Sequence, residues 1–313
     1  GIIFGNLIML FVSRIIDGFT GGNISVALSA IADISKSRAK PRNFGLVGAA
    51  YGAGLIIGPL LGGFLSDSSI VSWFNHATPF LFAALLTFID MLLLIKIFPE
   101  TLKRKIKSKV SLLAGFRNIK KAFRMAKLRV MFYVVFLIML GFTFFTYFLP
   151  VFLIEKFHYS ELSIGFLLAY MGFWIVFTQG FILKWVSRKY SARQILSVSL
   201  IALVVSLIFL VIPKRPIMLY FIGPLLSIFT GLALPSYNAI ISDLGRKDSQ
   251  GEILGINQSM QSLAQAIPPI IAGFVVAFHP NLPTLLAAAS TFLAWLIFSF
   301  FFKNNNKEKF HKV

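Results

Sequence analysis

Apolar runs of about twenty residues or more, parted by short polar connections, dominate this chain. They fall at 6–32, 44–66, 79–98, 130–152, 162–184, 194–213, 216–241, 253–278 and 284–302. A helix needs ~20 predominantly apolar residues to cross a bilayer, so the pattern predicts nine spanning helices and an all-α polytopic membrane protein. The second run contains Gly52-Ala53-Gly54-Leu55-Ile56-Ile57-Gly58-Pro59-Leu60-Leu61-Gly62-Gly63-Phe64, five glycines and a proline in thirteen residues. Such content would wreck a helix in water. In lipid, small residues let helix backbones approach closely, and neighbouring groups take up lost hydrogen bonds.

The chain also resembles itself. A shift of 210 residues lays Phe19-Thr20-Gly21 on Phe229-Thr230-Gly231, Asp33 on Asp243, Gly45 on Gly255, Pro59 on Pro269 and Gly63-Phe64 on Gly273-Phe274. With Ile31/Ile241 and Ile57/Ile267 this makes ten identities in 46 ungapped positions, and the punctuating Asp, Gly and Pro keep one register. An internal duplication of the parallel-repeat kind follows. Runs one to three then pair with runs seven to nine. Partners for runs four to six would lie upstream of Gly1, so the expected parent has twelve spans in two sixes, with roughly 80–90 further N-terminal residues carrying three spans. The expected units are the remainder of an N-terminal bundle at 1–98, a basic linker at 99–129, a six-helix bundle at 130–303 and a tail at 304–313.

Composition agrees with a membrane protein: 57% of residues are hydrophobic, 13% are charged, and mean hydropathy is +0.83. The absence of cysteine excludes disulfides, thiolate metal sites and iron–sulfur clusters. The four histidines fall in expected loops or the tail, and no metal or cofactor is implied. The net charge of +19 follows a topological pattern. Connections 33–43, 99–129 and 184–193 and the tail are basic, whereas 67–78 and 279–283 carry no Lys or Arg; Lys214-Arg215 is the contrary pair. This alternation puts the basic loops and the C-terminus in the cytoplasm and leaves nucleic acid unnecessary as a partner. Within 99–129, eleven basic side chains stand against Glu100, while Leu112, Leu113, Phe116, Ile119, Phe123 and Leu128 recur at helical spacing. A basic amphipathic helix on anionic lipid at the inner interface is expected; a calmodulin-like partner site is the weaker alternative.

The second run resembles the antiporter signature g-x-x-x-G-P-x-x-G-G of the major facilitator superfamily, read as Gly54 to Gly63. The first resembles that family's R-x-x-x-G pattern as Arg14-Ile15-Ile16-Asp17-Gly18, with Asp17 where Gln is usual. Ala32-Asp33 before basic residues, Phe44-Gly45 and Pro99-Glu100-Thr101 fit as well. The chain is therefore similar to twelve-span drug:proton antiporters of the tetracycline-exporter type, lacking the first three helices. The resemblance implies a secondary transporter of a bacterial inner membrane that exports small amphipathic compounds or drugs against protons. A proton-coupled uptake symporter and a non-transporting sensor on the same scaffold are the alternatives. No phosphate-binding glycine loop is present, which argues against ATP-driven transport.

Candidate residues follow. Arg14 and Asp17 are three apart on one helix face and form the expected proton-coupling pair, or else a structural ion pair. Asp90 lies well inside the third run, where burial of its ionised form would cost several kcal/mol. It is a candidate proton carrier, or a helix cap or ion-pair partner. Gln258, Gln261 and Gln265, flanked by Asn257 and Ser262, make a polar stripe that lipid cannot satisfy. With Asn238 beside Tyr237 they are candidates for a substrate cavity or for interhelical hydrogen bonds; Gln179 is a weaker one. Phe142, Phe144, Phe145, Tyr147, Phe148, Tyr170, Phe173 and Trp174 offer a greasy lining or plain packing. Gly54, Gly58, Pro59, Gly62, Gly63 and Pro269 are the gating candidates, and the glycines are expected to seat the second run against the eighth.

Overall fold

The computed structural model describes residues 7–302 except 21–22, 67, 69, 76, 99, 102–113, 126–127, 160, 214 and 246–249. Every regular element among them is helical: α1 Leu7–Thr20, α2 Asn23–Ile34, α3 Lys40–Ser66, α4 Thr78–Ile97, α5 Ala114–Arg124, α6 Arg129–Phe157, α7 Glu161–Phe177, α8 Leu183–Lys189, α9 Ala192–Val211, α10 Leu219–Leu244, α11 Gln250–Phe278 and α12 Leu282–Phe301. A π-helical stretch, Thr178–Ile182, joins α7 to α8 in one continuous span. Helices are what lipid demands, since an unpaired backbone group finds no water there.

Six described helices are long and apolar enough to cross a membrane: Thr78–Ile97, Arg129–Phe157, Ser163–Lys189, Ala192–Val211, Pro216–Leu244 and Leu282–Phe301. At 27 and 29 residues, α3 and α11 have the length to span. The expected span at 6–32 contains α1 and α2, of 14 and 12 residues; Gly21 and Gly22 lie outside the described residues. Lys156, in the connection between the runs at 130–152 and 162–184, lies in the last turn of α6. Its ammonium donates to the carbonyl of Val211 at the end of α9 and lies 5.1 and 5.5 Å from the ring centres of Phe152 and Phe157.

Helices α6, α7, α9, α10, α11 and α12 pack around one extended apolar core that includes Phe132, Val135, Leu153, Leu200, Leu226 and Phe298. Small residues set the closest approach, as expected where helices associate without a hydrophobic drive. A Cβ added to Gly141 on α6 would stand 2.8 Å from both the Ala287 carbonyl oxygen and the Thr291 Oγ1 of α12. Nearby, Ser290 Oγ donates across the same seam to Leu137 O at 2.7 Å. Local signals end the helices. Ser191 and Gln194 form a reciprocal capping box at the start of α9, and His158 closes α6 in the left-handed region with φ 54°.

The N-terminal helices meet this bundle along two seams. Helix α3 packs against α7 and α10, and α2 packs against α11. Under the 210-residue shift, α2 corresponds to part of α10 and α3 to α11, so the α3–α10 and α2–α11 seams exchange with one another. That exchange is what a twofold relation between repeats produces. Helix α5 lies against α6 and α11.

Candidate functional site

At one end of the molecule the two halves are clasped by polar groups. Lys40 opens α3, where the positive end of the helix dipole disfavours a cation. Its ammonium reaches instead the last turn of α10, donating to Ser242 Oγ at 2.8 Å and pairing with Asp243 Oδ1 at 2.9 Å. Ser242 Oγ donates to Gln250 Oε1 at 2.6 Å, and Gln250 Nε2 donates to Ser242 O at 2.9 Å. Lys40, Ser242 and Gln250 are buried, while Asp243 keeps about a third of its side chain in contact with solvent. Lys40 and Gln250 are 210 residues apart, so the first residues of two repeat-mate helices converge on one helix end. In the sequence Lys40 is one of the basic residues of the 33–43 connection; its signal lies in the repeat register, which also equates Asp243 with Asp33. Asp33 itself is exposed and accepts from Thr101 Oγ1 at 3.3 Å.

Below the clasp, α3 turns a glycine face to α7 and α8. An added Cβ would meet Leu183 Cδ2 at 2.5 Å from Gly45, Gln179 Oε1 at 2.6 Å from Gly48, and Val176 Cγ2 at 2.9 Å from Gly52. Gln179 is 2% exposed and belongs to the π-helical stretch, a feature that often marks function. Its Oε1 has no hydrogen-bond partner; nor do Thr178 Oγ1 or Trp174 Nε1 on the same span.

This geometry corrects two expectations. The glycine face of α3 is seated on α7 and α8, not on α11. The contacts also come earlier than expected, for an added Cβ at Gly54, Gly58 or Gly62 would meet nothing within 4 Å. Hydropathy and glycine count locate a small-residue stretch, but which turn of it touches a neighbour depends on where the helices cross. Pro59 and Gly63 lie within α3, with their surroundings outside what the structure describes. Pro269 is exposed within α11, and Pro268 beside it is buried.

Asp90 lies within α4, the helix of the third run. It is exposed on α4, beside a shallow groove lined by Leu93, Leu94, Ile97 and Phe98. Helix α4 is apolar on every side, and its sequence therefore specifies no inward face. Arg14 and Asp17 share α1, as expected, but their side chains lie outside the described residues.

The polar stripe on α11 divides. Asn257 Nδ2 donates to Asn238 Oδ1 at 2.9 Å, and Gln261 Oε1 accepts from Tyr237 OH at 3.3 Å, which makes a buried ladder to α10. Asn257 Oδ1 is buried there without a partner. Gln265 is exposed and its amide touches Met139 Sδ of α6 at 3.8 Å; Gln258 is half-buried. Among the aromatics, Phe144 and Phe148 are core residues, whereas Phe142 and Phe145 line a small apolar cavity of about 30 Å³ between α6, α9, α10 and α12. Along α7 and the π-helical stretch that follows it, Phe173, Trp174, Phe177 and Phe181 form a ladder with ring centres 5.3–6.1 Å apart.

The chain is similar to known proteins. The Major Facilitator Superfamily model matches residues 1–214 and again 173–312. The class C tetracycline resistance protein of Escherichia coli is 28% identical over 300 residues, covering 92% of this chain and 70% of that protein. The quinolone resistance protein NorA of Staphylococcus aureus (strain MSSA476) is 26% identical over 288 residues, covering 90% of this chain and 70% of its own. The chain spans 65–70% of the length of the tetracycline resistance proteins of classes C and E. In three dimensions it is similar to the human organic anion transporter MFSD10, with a TM-score of 0.81 and 22% identity over 92% of this chain and 70% of that one.

Proposed function

Because the chain belongs to the Major Facilitator Superfamily and is a membrane-embedded transporter, we propose that it serves as a proton-coupled antiporter. In this reading it exports small amphipathic compounds by alternating access across a bacterial inner membrane. The C-terminus and the Lys40–Asp243 clasp face the cytoplasm, as the basic connections suggest. The observation that carries the reading is the seam itself. A glycine face meets three side chains of the other half, above which sits a polar clasp that can break and re-form. Packed seams of this kind have two arrangements rather than a continuum, and alternating access rests on such a pair of states.

Tetracycline and quinolone resistance proteins are the relatives that suggest an amphipathic, ring-bearing cargo. The Asn238–Asn257 and Tyr237–Gln261 ladder supplies donors and acceptors for its polar groups, and exposed Phe173 and Phe177 supply apolar surface. Arg14 and Asp17 carry the coupling: protonating Asp17 frees Arg14, and the changed charge biases the two states. Asp90, within α4, is a second candidate proton carrier.

Everted membrane vesicles containing the protein test this with a pH-sensitive dye. Adding a tetracycline or a quinolone to acid-loaded vesicles should release protons, and Asp17→Asn should abolish that release while sparing substrate binding. Compound accumulation that ignores the proton gradient would refute coupling, and no compound-dependent flux of either kind would refute export.

A further inference from the structure

We infer that α5 is a docking surface for anionic phospholipid, held against the C-terminal half where α6 enters the membrane. Its apolar edge is firmly seated: Ala122 is fully buried, and Ile119 and Met125 pack against the core. Asn118 Nδ2 lies 3.4 Å from Ser259 Oγ, and Lys121 pairs with Glu252, so α5 is tied to α11 as well as to α6. The opposite edge is basic. Arg117, Lys120 and Arg124 follow one another at spacings of three and four, which places them in one column on the helix surface, and all are exposed.

A separate observation sets the depth of this helix. The Phe123 ring lies 5.2 Å from that of Tyr133, and the two are 41% and 44% exposed. Tyr133 is in the first turns of the α6 span, the level at which tyrosine sits between lipid tails and headgroups. Phe123 is thereby fixed at the rim of the apolar layer, and Lys120, three residues before it, lies at headgroup height. A basic column at that height beside an apolar anchor matches a phosphodiester headgroup with its acyl chains. Free phosphate would satisfy the charge but gain nothing from Phe123. The surface does not depend on which compound is carried or on proton coupling.

Native mass spectrometry of the detergent-solubilised full chain, titrated with phosphatidylglycerol or phosphatidylcholine, measures this directly. The wild-type protein should retain phosphatidylglycerol preferentially. Lys120→Gln/Arg124→Gln should weaken that retention roughly 10- to 30-fold, leave phosphatidylcholine unaffected, and keep the thermal unfolding midpoint. Lys120→Arg/Arg124→Lys, which conserves charge, should behave as wild type, and so should Lys184→Gln/Lys189→Gln at another basic connection. Equal retention of the two lipids would overturn the inference, as would equal losses from the α5 and control variants. Displacement of phosphatidylglycerol by inorganic phosphate at matched concentration would reassign the column to free anions and overturn it too.

Discussion

Replacing Gly48 with alanine would set a methyl carbon 2.6 Å from Gln179 Oε1 and 2.9 Å from its Cδ and Nε2. Ordinary contact between such atoms begins near ~3.5 Å, so the amide must retreat by close to an ångström. It has little room, being 2% exposed, and its backbone carbonyl lies 3.3 Å from the position of a Gly45 Cβ. The remaining escape is for α3 to lift away from α7. Overpacking of a fitted seam costs about 1–3 kcal/mol, which corresponds to a shift of roughly 5- to 150-fold against the packed arrangement. The chain has no cysteine of its own, and Leu183, fully buried against Gly45, is a suitable reporter when replaced by cysteine. Its labelling by a membrane-impermeant maleimide should accelerate by that factor in Gly48→Ala. Shortening the opposing side chain in Gly48→Ala/Gln179→Ala should return the rate to within a few-fold of the parent, because the clash and its relief share one space. Gln179→Met should move the equilibrium the other way, since it removes a buried acceptor that the packed state leaves unpaired. If the double variant labels as fast as Gly48→Ala alone, the seam is not the moving contact and the reasoning fails.

Three further outcomes are expected. Lys40→Met should speed the same labelling about 5- to 10-fold, a modest effect because Asp243 is partly solvated; an unchanged rate would deny the clasp any part in closure. Gly141→Ala should lower the thermal unfolding midpoint in detergent by the equivalent of about 1–3 kcal/mol, since the carbonyl of Ala287 cannot swing aside as a side chain can; an unchanged midpoint would mean that α6 and α12 are not seated there. His158→Val should cost about 1–2 kcal/mol by forcing a β-branched residue into the left-handed region, while His158→Gly should fold as well as the parent by circular dichroism melting.

Hydropathy alone determined that the chain is helical and membrane-embedded, and where most helices lie, because a backbone in lipid has to satisfy itself within twenty or so consecutive residues. The repeat register of the sequence equates α3 with α11, and the spacing of apolar residues places an amphipathic helix in the basic linker, where α5 is found. The tertiary structure decided the pairings. Asp90 and Gln261 are both polar residues in apolar runs, yet one is exposed on α4 and the other is joined to Tyr237. Gly48 and Gly58 look equivalent along α3, and just the first meets a neighbour. Lys40 reads as one more basic loop residue until α10 is brought to it from 202 residues away. Each of these depends on the angle and depth at which distant helices cross, which the packing of side chains sets collectively and no local window of sequence contains.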